Sequence, residues 1–283
     1  MYGIGGEHDL AERPLGHLAG WRGSSPVRVG NAAWQQVQLD VYGELLDAAC
    51  RLRPELGEPG QLTRQFLIDL ADGAAARWRE PDHGIWEIRG QPRHFLYSKL
   101  MCWVALDRAI ALADWLGAAD RVTDWQRSRE EIRAAIEQHG WSERAGAFTQ
   151  ALGSDQLDAS ALMIPITGFL PATDPRVRAT IGAVQRVLTG PRGLVYRYRS
   201  GDGLPGEEGT FLLCTFWLAH CLALAGDMAQ ARAVVQTAVG YANDVGLLAE
   251  EIDPATGEQI GNFPQAFSRI GLVNAAWAIA QAQ

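Results

Sequence analysis

Apolar residues recur along this chain every three to four positions, in runs separated by short stretches rich in glycine, proline and acids. Trp34, Val37, Val41, Leu45, Ala48 and Leu52 share a helical face, which predicts a helix over 34–52 stopped by Pro54. Leu62, Phe66, Leu70, Ala74 and Trp78 predict a second over roughly 61–79. Residues 94–117 are apolar nearly all round, as suits a helix touched on most sides. Residues 119–138 set Val122, Trp125, Ile132 and Ile136 against a face of Arg and Glu, with Gly140 as the stop. Further helices are expected near 156–166 and from Pro175 to about Leu188, then over 209–225 (apolar), 228–242 (polar-faced) and 264 to the end.

Apolar helices thus alternate with amphipathic ones, and acidic loops precede the apolar ones. Two concentric layers produce this pattern, the inner helices buried on every side and the outer ones keeping a solvent face. The expected class is all-α, an α/α barrel whose loops form a pocket at one end. No motif repeats at a fixed period, which argues against a solenoid. Residues 1–33 show little periodicity, yet Leu15, Leu18, Trp21 and Val27 suit a structured loop better than a tail.

Composition narrows the chemistry. The 283 residues carry a formal net charge of -8, against a nucleic-acid or anionic-membrane partner and in favour of a small neutral one. Ten tryptophans supply flat apolar walls of the kind that sugars stack on, although core packing is their commoner use. Cys50, Cys102, Cys214 and Cys221 are scattered without a CxxC and read as reduced, buried residues. The histidines lack metal-ligand spacing, so no metal or other cofactor is expected. Neither a signal peptide nor a membrane-spanning stretch is legible, and a cytoplasmic setting is the default.

Two loops carry the candidate chemistry. Residues 81–90, PDHGIWEIRG, place Glu87 directly after Trp86 and two residues before Arg89. An indole can hold a sugar ring and partly desolvate a carboxyl group, which suits a general acid; the plain alternative is a loop ion pair. Residues 246–258 carry Glu250, Glu251 and Asp253, either a solvated acidic turn or the partner carboxylate. Glycoside hydrolysis by inversion needs two carboxyl groups, roughly 6.5–9.5 Å apart.

Several stretches resemble glycoside hydrolase family 15, the glucoamylases and their trehalase relatives: YGIGGE at 2–7, HLAGWRGSSPVRVGNAAWQQVQLDVYGELLDA at 17–48, PDHGIWEIRGQPRHFLYSKLMCWVALDRA at 81–109, GLVYRYR at 193–199, EEGTFLLCTFW at 207–217 and LLAEEIDPATGEQIGNFPQAFSRIGLVNAA at 247–276. The resemblance implies an (α/α)6 barrel as one catalytic domain over 1–283 and inverting, exo-acting hydrolysis of a terminal α-glucosidic bond. It makes Glu87 the general acid and Glu250 the general base, with Glu251 the rival. It gives sugar contacts to Trp86, Arg28, Trp21, Arg89, Arg197 (or Arg199), Glu208 and Glu251; Arg28 has an ion-pair alternative, and Glu207 and Glu208 have a helix-capping one. His94 and Lys99 are expected to orient the acid loop, and Arg269 stands where relatives often carry a histidine. In the family, further helices and, in bacterial members, a β-sandwich domain precede YGI. About nine helices are read here against the twelve of a closed barrel, so an N-terminal domain or partner chain is expected. The alternative function is an inactive piece that needs that partner.

Overall fold

The computed structural model describes residues 3–199 and 208–282. The N-terminal segment is pinned by a two-residue ladder, β1 (Arg13–Pro14) antiparallel to β2 (Arg28–Val29), with short helical turns at Trp21–Gly23 and Ala32–Gln35. Helices follow: α1 (Val41–Leu56), α2 (Gln61–Arg77), α3 (Leu96–Ala111), the single turn α4 (Ala113–Leu116) and α5 (Val122–His139). A small hairpin, β3 (Trp141–Ser142) with β4 (Ala147–Phe148), leads to a turn at Ala159–Leu162, the one-turn α6 (Met163–Ile166) and α7 (Pro175–Ala183). The last part holds β5 (Thr210–Phe211), α8 (Leu212–Leu224), α9 (Met228–Val239), β6 (Glu251–Ile252), β7 (Gln259–Ile260) and α10 (Ala266–Gln281). Strands β5, β6 and β7 form one antiparallel sheet in that order.

The layering follows the apolar pattern. Helix α3 is buried without a break from Leu96 to Leu106 and packs against α1, α2 and α5. Helix α8 is the inner element of the second half, against α9, α10 and α6. The outer α5 buries only Trp125, Ile132 and Ile136, one stripe at helical spacing. The all-α expectation therefore stands. The loops joining the inner helices to their partners gather the acidic segments.

Several boundaries differ from the sequence pattern. The helix expected from residue 34 starts at Val41, because the acid loop has taken the polar groups before it. Val37 N–H and C=O pair with His83, Leu39 N–H donates to Asp82 Oδ2 at 3.1 Å, and Gln36 Nε2 donates to the carbonyls of Glu87 and Ile88 at 3.3 Å. Pro54 does not stop α1; it sits in the last turn, where it removes one bond to the Cys50 carbonyl without a following stretch of helix to disrupt, and Gly57 at φ +59° ends the helix. The long apolar helix breaks at Leu112 and closes on Gly117 at φ +67°. The stretch 156–166 yields only two short turns, with the Asp158 carboxylate capping the first through Ser160 N–H. Cys102, Cys214 and Cys221 are buried thiols, but Cys50 is only half-buried.

The start of α1 holds a strained charge. Asp40 is 7% exposed, and its Oδ1 has no hydrogen-bond partner among the described residues. Burial first, then the Glu44 and Asp82 carboxylates, push its pKa up to about 7. The folded state therefore keeps a proton that the unfolded chain releases near pH 4, so this group's contribution to stability falls as pH rises from about 4 to 7. Asp40→Asn abolishes that fall. Urea unfolding at pH 5 and pH 8 is expected to show the variant gaining on the wild type by roughly 2–4 kcal/mol over the interval. Parallel pH dependences would refute this.

Candidate active site

The acid loop is anchored below the level of Glu87. Asp82 and Arg93 exchange backbone hydrogen bonds at 2.9 and 2.8 Å, and the buried Asp82 carboxylate accepts from Ser98 Oγ at 2.6 Å. Gly84, at φ +69°, packs under the Phe95 ring, where a Cβ would come within 2.9 Å of ring carbons. The following turn forces Glu87 to φ +54°; apart from Arg22 it is the only described non-glycine residue at positive φ. Such strain costs on the order of 1–3 kcal/mol and persists only where the surroundings fix it. Here Gln36 holds the Glu87 and Ile88 carbonyls, and Asn31 Nδ2 lies 3.4 Å from Glu87 Oε2.

Trp86 is fixed from the other side. Its indole N–H donates to the Asp158 carboxylate at 3.0 Å, and that carboxylate also accepts from Gln150 Nε2 at 3.0 Å and Ser160 N–H at 2.8 Å. Burial pushes the Asp158 pKa up, while these donors work against the rise. The indole packs on Phe211 and Trp217, with ring centroids 5.6 and 5.9 Å away.

Arg197 joins the two acidic loops. Its guanidinium lies 5.5 Å from the Trp86 ring centroid, 5.1 Å from Phe211 and 5.5 Å from Tyr198. It pairs with Glu208 and reaches Glu251 Oε1 at 3.8 Å. Glu208 precedes β5 and does not cap α8, whose N-cap is Phe211; Glu207 lies outside the described residues. Burial raises the Glu251 pKa, Arg197 opposes the rise and Glu250 adds to it.

Glu250 and Glu251 part company in the hairpin. Glu251 turns toward Arg197, whereas Glu250 Oε2 accepts from the main-chain N–H of Asn262 at 3.0 Å and from Asn262 Nδ2 at 2.9 Å. Beside them opens a cleft of about 700 Å³, lined by Trp21, Arg22, Asn243, Gly261, Asn262 and Phe263 with the β7 residues. Its volume is that of a small-molecule site.

A family model described as glycosyl hydrolases family 15 matches residues 1–234 and 223–277. The chain belongs to glycosyl hydrolase family 15. This family-15 chain is 44% identical over its whole length to a trehalase of Mycolicibacterium smegmatis and 37% identical over 98% of its length to a trehalase of Thermoplasma volcanium. It spans 42% and 44% of those proteins, under half of each. Among solved structures, a glycosidase variant in complex with glucose superposes with a TM-score of 0.74 at 21% identity, over 91% of this chain and 72% of the other. A bacterial glucoamylase complexed with acarbose gives 0.74 at 16% identity, over 88% and 42%. These likenesses establish the fold, the all-α architecture of the glucoamylase barrels.

The remaining expected residues fall around these two loops in different ways. Arg28 and Arg89 both pair with Glu12, at 3.1 and 2.9 Å, which supplies the ion-pair alternative for each. Burial acts to raise the Glu12 pKa, but the Ala32 N–H and the two guanidiniums outweigh it and hold it below the usual range. Trp21 is 74% exposed at the cleft rim, and its neighbour Arg22 pairs with Glu258 across it. Lys99 is buried and donates to the Glu80 carbonyl at the foot of the acid loop, whereas the His94 side chain is exposed. Arg199 stacks on Tyr196, and Arg269 donates to the Gly246 carbonyl. Glu12, Asn31, Asp158 and Asn262 do not stand out in the sequence: they lie alone between apolar runs and acquire meaning only from partners distant in the chain, while Trp217 is hidden inside the apolar run of α8. Among the described residues, no three His, Cys, Asp or Glu side chains gather where a metal could sit. No described helix is long and apolar enough to cross a membrane.

Asp158→Ala leaves the Trp86 and Gln150 donors without their acceptor in a closed environment. It is expected to lower urea-measured stability by about 2–3 kcal/mol, and Asp158→Asn by about half as much. Equal, negligible losses in both variants would show that the indole is held by ring packing alone.

Proposed function

We propose that this chain carries the two catalytic carboxyl groups of an inverting, exo-acting α-glucoside hydrolase of the trehalase type. The observation that carries the reading is the meeting of the acid and base loops on Arg197, with Glu87 and Glu250 both outside that ion-pair cluster. The identities with trehalases support a small neutral disaccharide as substrate.

In this reading a terminal glucose lies against Trp86. Protonated Glu87 gives its proton to the glycosidic oxygen as the C–O bond breaks. Glu250 takes a proton from a water that attacks the anomeric carbon from the opposite face. The Asn262 donors keep Glu250 on the side of the hairpin away from Arg197, which favours it over Glu251 as base. Arg197, Glu208 and Glu251 form the polar wall of the site. Arg89, at the end of the acid loop, is tied to Arg28 through Glu12, and Trp21 faces the leaving sugar from the cleft rim.

A second reading is carried by exposed apolar stripes. Val41, Leu45, Leu52 and Leu56 lie along α1, and Phe267, Ile270, Val273 and Trp277 along α10. Both faces suit helices from an N-terminal domain or partner chain, without which this chain would be inactive.

Glucose release from trehalose and maltose tests both readings. Glu87→Gln and Glu250→Gln are each expected to reduce kcat by at least about 100-fold, and full activity in either variant removes that residue from its role. Stereochemistry is an independent check with trehalose. Inversion releases one β- and one α-glucose per turnover, whereas retention releases only α, and early NMR spectra separate the two. Turnover by the monomeric chain alone overturns the second reading.

A further inference from the structure

We propose that Asn262 is a positioning residue for the general base, a role that rests on the assignment of Glu250 just made. The β6–β7 ladder pairs Glu251 with Ile260. One residue before Glu251 and two after Ile260, with Gly261 as the extra residue between, Glu250 and Asn262 are joined by three hydrogen bonds. The Glu250 N–H donates to the Asn262 carbonyl at 2.9 Å, and the Asn262 N–H and Nδ2 return to Glu250 Oε2 at 3.0 and 2.9 Å. The side chain is thus held by the residue that holds its own backbone.

The convergence of both donors on one oxygen has a chemical consequence. A carboxylate acting as general base must keep one oxygen available to a water while the charge on the other is stabilised. Two N–H groups on Oε2 fix the rotation of the carboxylate and leave Oε1 as the acceptor. N–H bonds to an ionised group are also stronger than those between neutral groups. Gly261 completes the arrangement. At φ +75°, it passes so close beneath Glu250 that a Cβ there would lie 2.9 Å from Oε2 and 3.1 Å from the Glu250 Cβ. A side chain there would be strained by the backbone angle and would crowd the Glu250 carboxylate. Asn262 also lines the cleft, together with Trp21 and Phe263.

A residue that only shapes the hairpin and one that holds the base differ in what their loss does. Asn262→Ala removes the side-chain donor and keeps the main-chain one. It is expected to reduce kcat on trehalose roughly 10-fold, with KM within about twofold, and to move the acid limb of the kcat/KM–pH profile to higher pH. Asn262→Asp keeps the shape but sets a like charge against the base, and is expected to move that limb further. Unchanged kcat and an unmoved limb in Asn262→Ala overturn the proposal, as does a loss confined to KM. Glu250→Gln, assayed alongside, separates this failure from the larger one: full activity in Glu250→Gln sinks the base assignment itself. A readout without turnover completes the test. The side-chain amide resonances of Asn262 are expected to shift more in Glu250→Gln than in Glu251→Gln, and the reverse order, or no shift in either, contradicts the clamp.

Discussion

One guanidinium holds two distant loops in register. Arg197 sits among the rings of Trp86, Tyr198 and Phe211 and faces the carboxylates of Glu208 and Glu251. Its planar shape lets it stack and form ion pairs at once, which a lysine could not do. The rings exclude water, so the charge interactions are stronger than they would be at an open surface. Burial first, and then the Glu250 charge, raise the pKa of Glu251 against the opposing pull of Arg197. Glu250 escapes the cluster because the hairpin turns it the other way.

The acid loop shows the same economy of structure. Helix α1 gives up its first two turns so that Gln36, Val37 and Leu39 can bond the loop that carries Glu87. The loop in turn holds Glu87 in a backbone conformation that a non-glycine residue rarely adopts. Local helical preference is overridden where it would compete with the site. Inner helices α3 and α8 make this possible, since their buried surfaces fix the stems of both loops.

The sequence revealed the layers and the acidic loops because burial leaves a periodic trace. All-round apolar runs at 94–117 and 209–225 became α3 and α8, and the striped run at 119–138 became α5. The family motifs marked Glu87 and Glu250. Pairings of two residues, as in β5, β6 and β7, are too short for a period of two to register. The partners of the site were equally hidden. Asp158 and Asn262 look like loop polar residues, and only folding sets one against Trp86 and the other against Glu250. The start of α1 was misread for the same reason: Trp34 and Val37 keep helical spacing, but their neighbours' hydrogen bonds go elsewhere.

The coupling by Arg197 of the Trp86 loop to the Glu250–Glu251 loop is tested most directly by a double-mutant cycle between Trp86→Leu and Glu251→Gln, read as unfolding free energy. Both side chains face Arg197 from different loops. The cycle is expected to show non-additivity of at least about 0.5 kcal/mol, vanishing when Arg197 is replaced by Met. Additive effects with Arg197 in place would contradict the account.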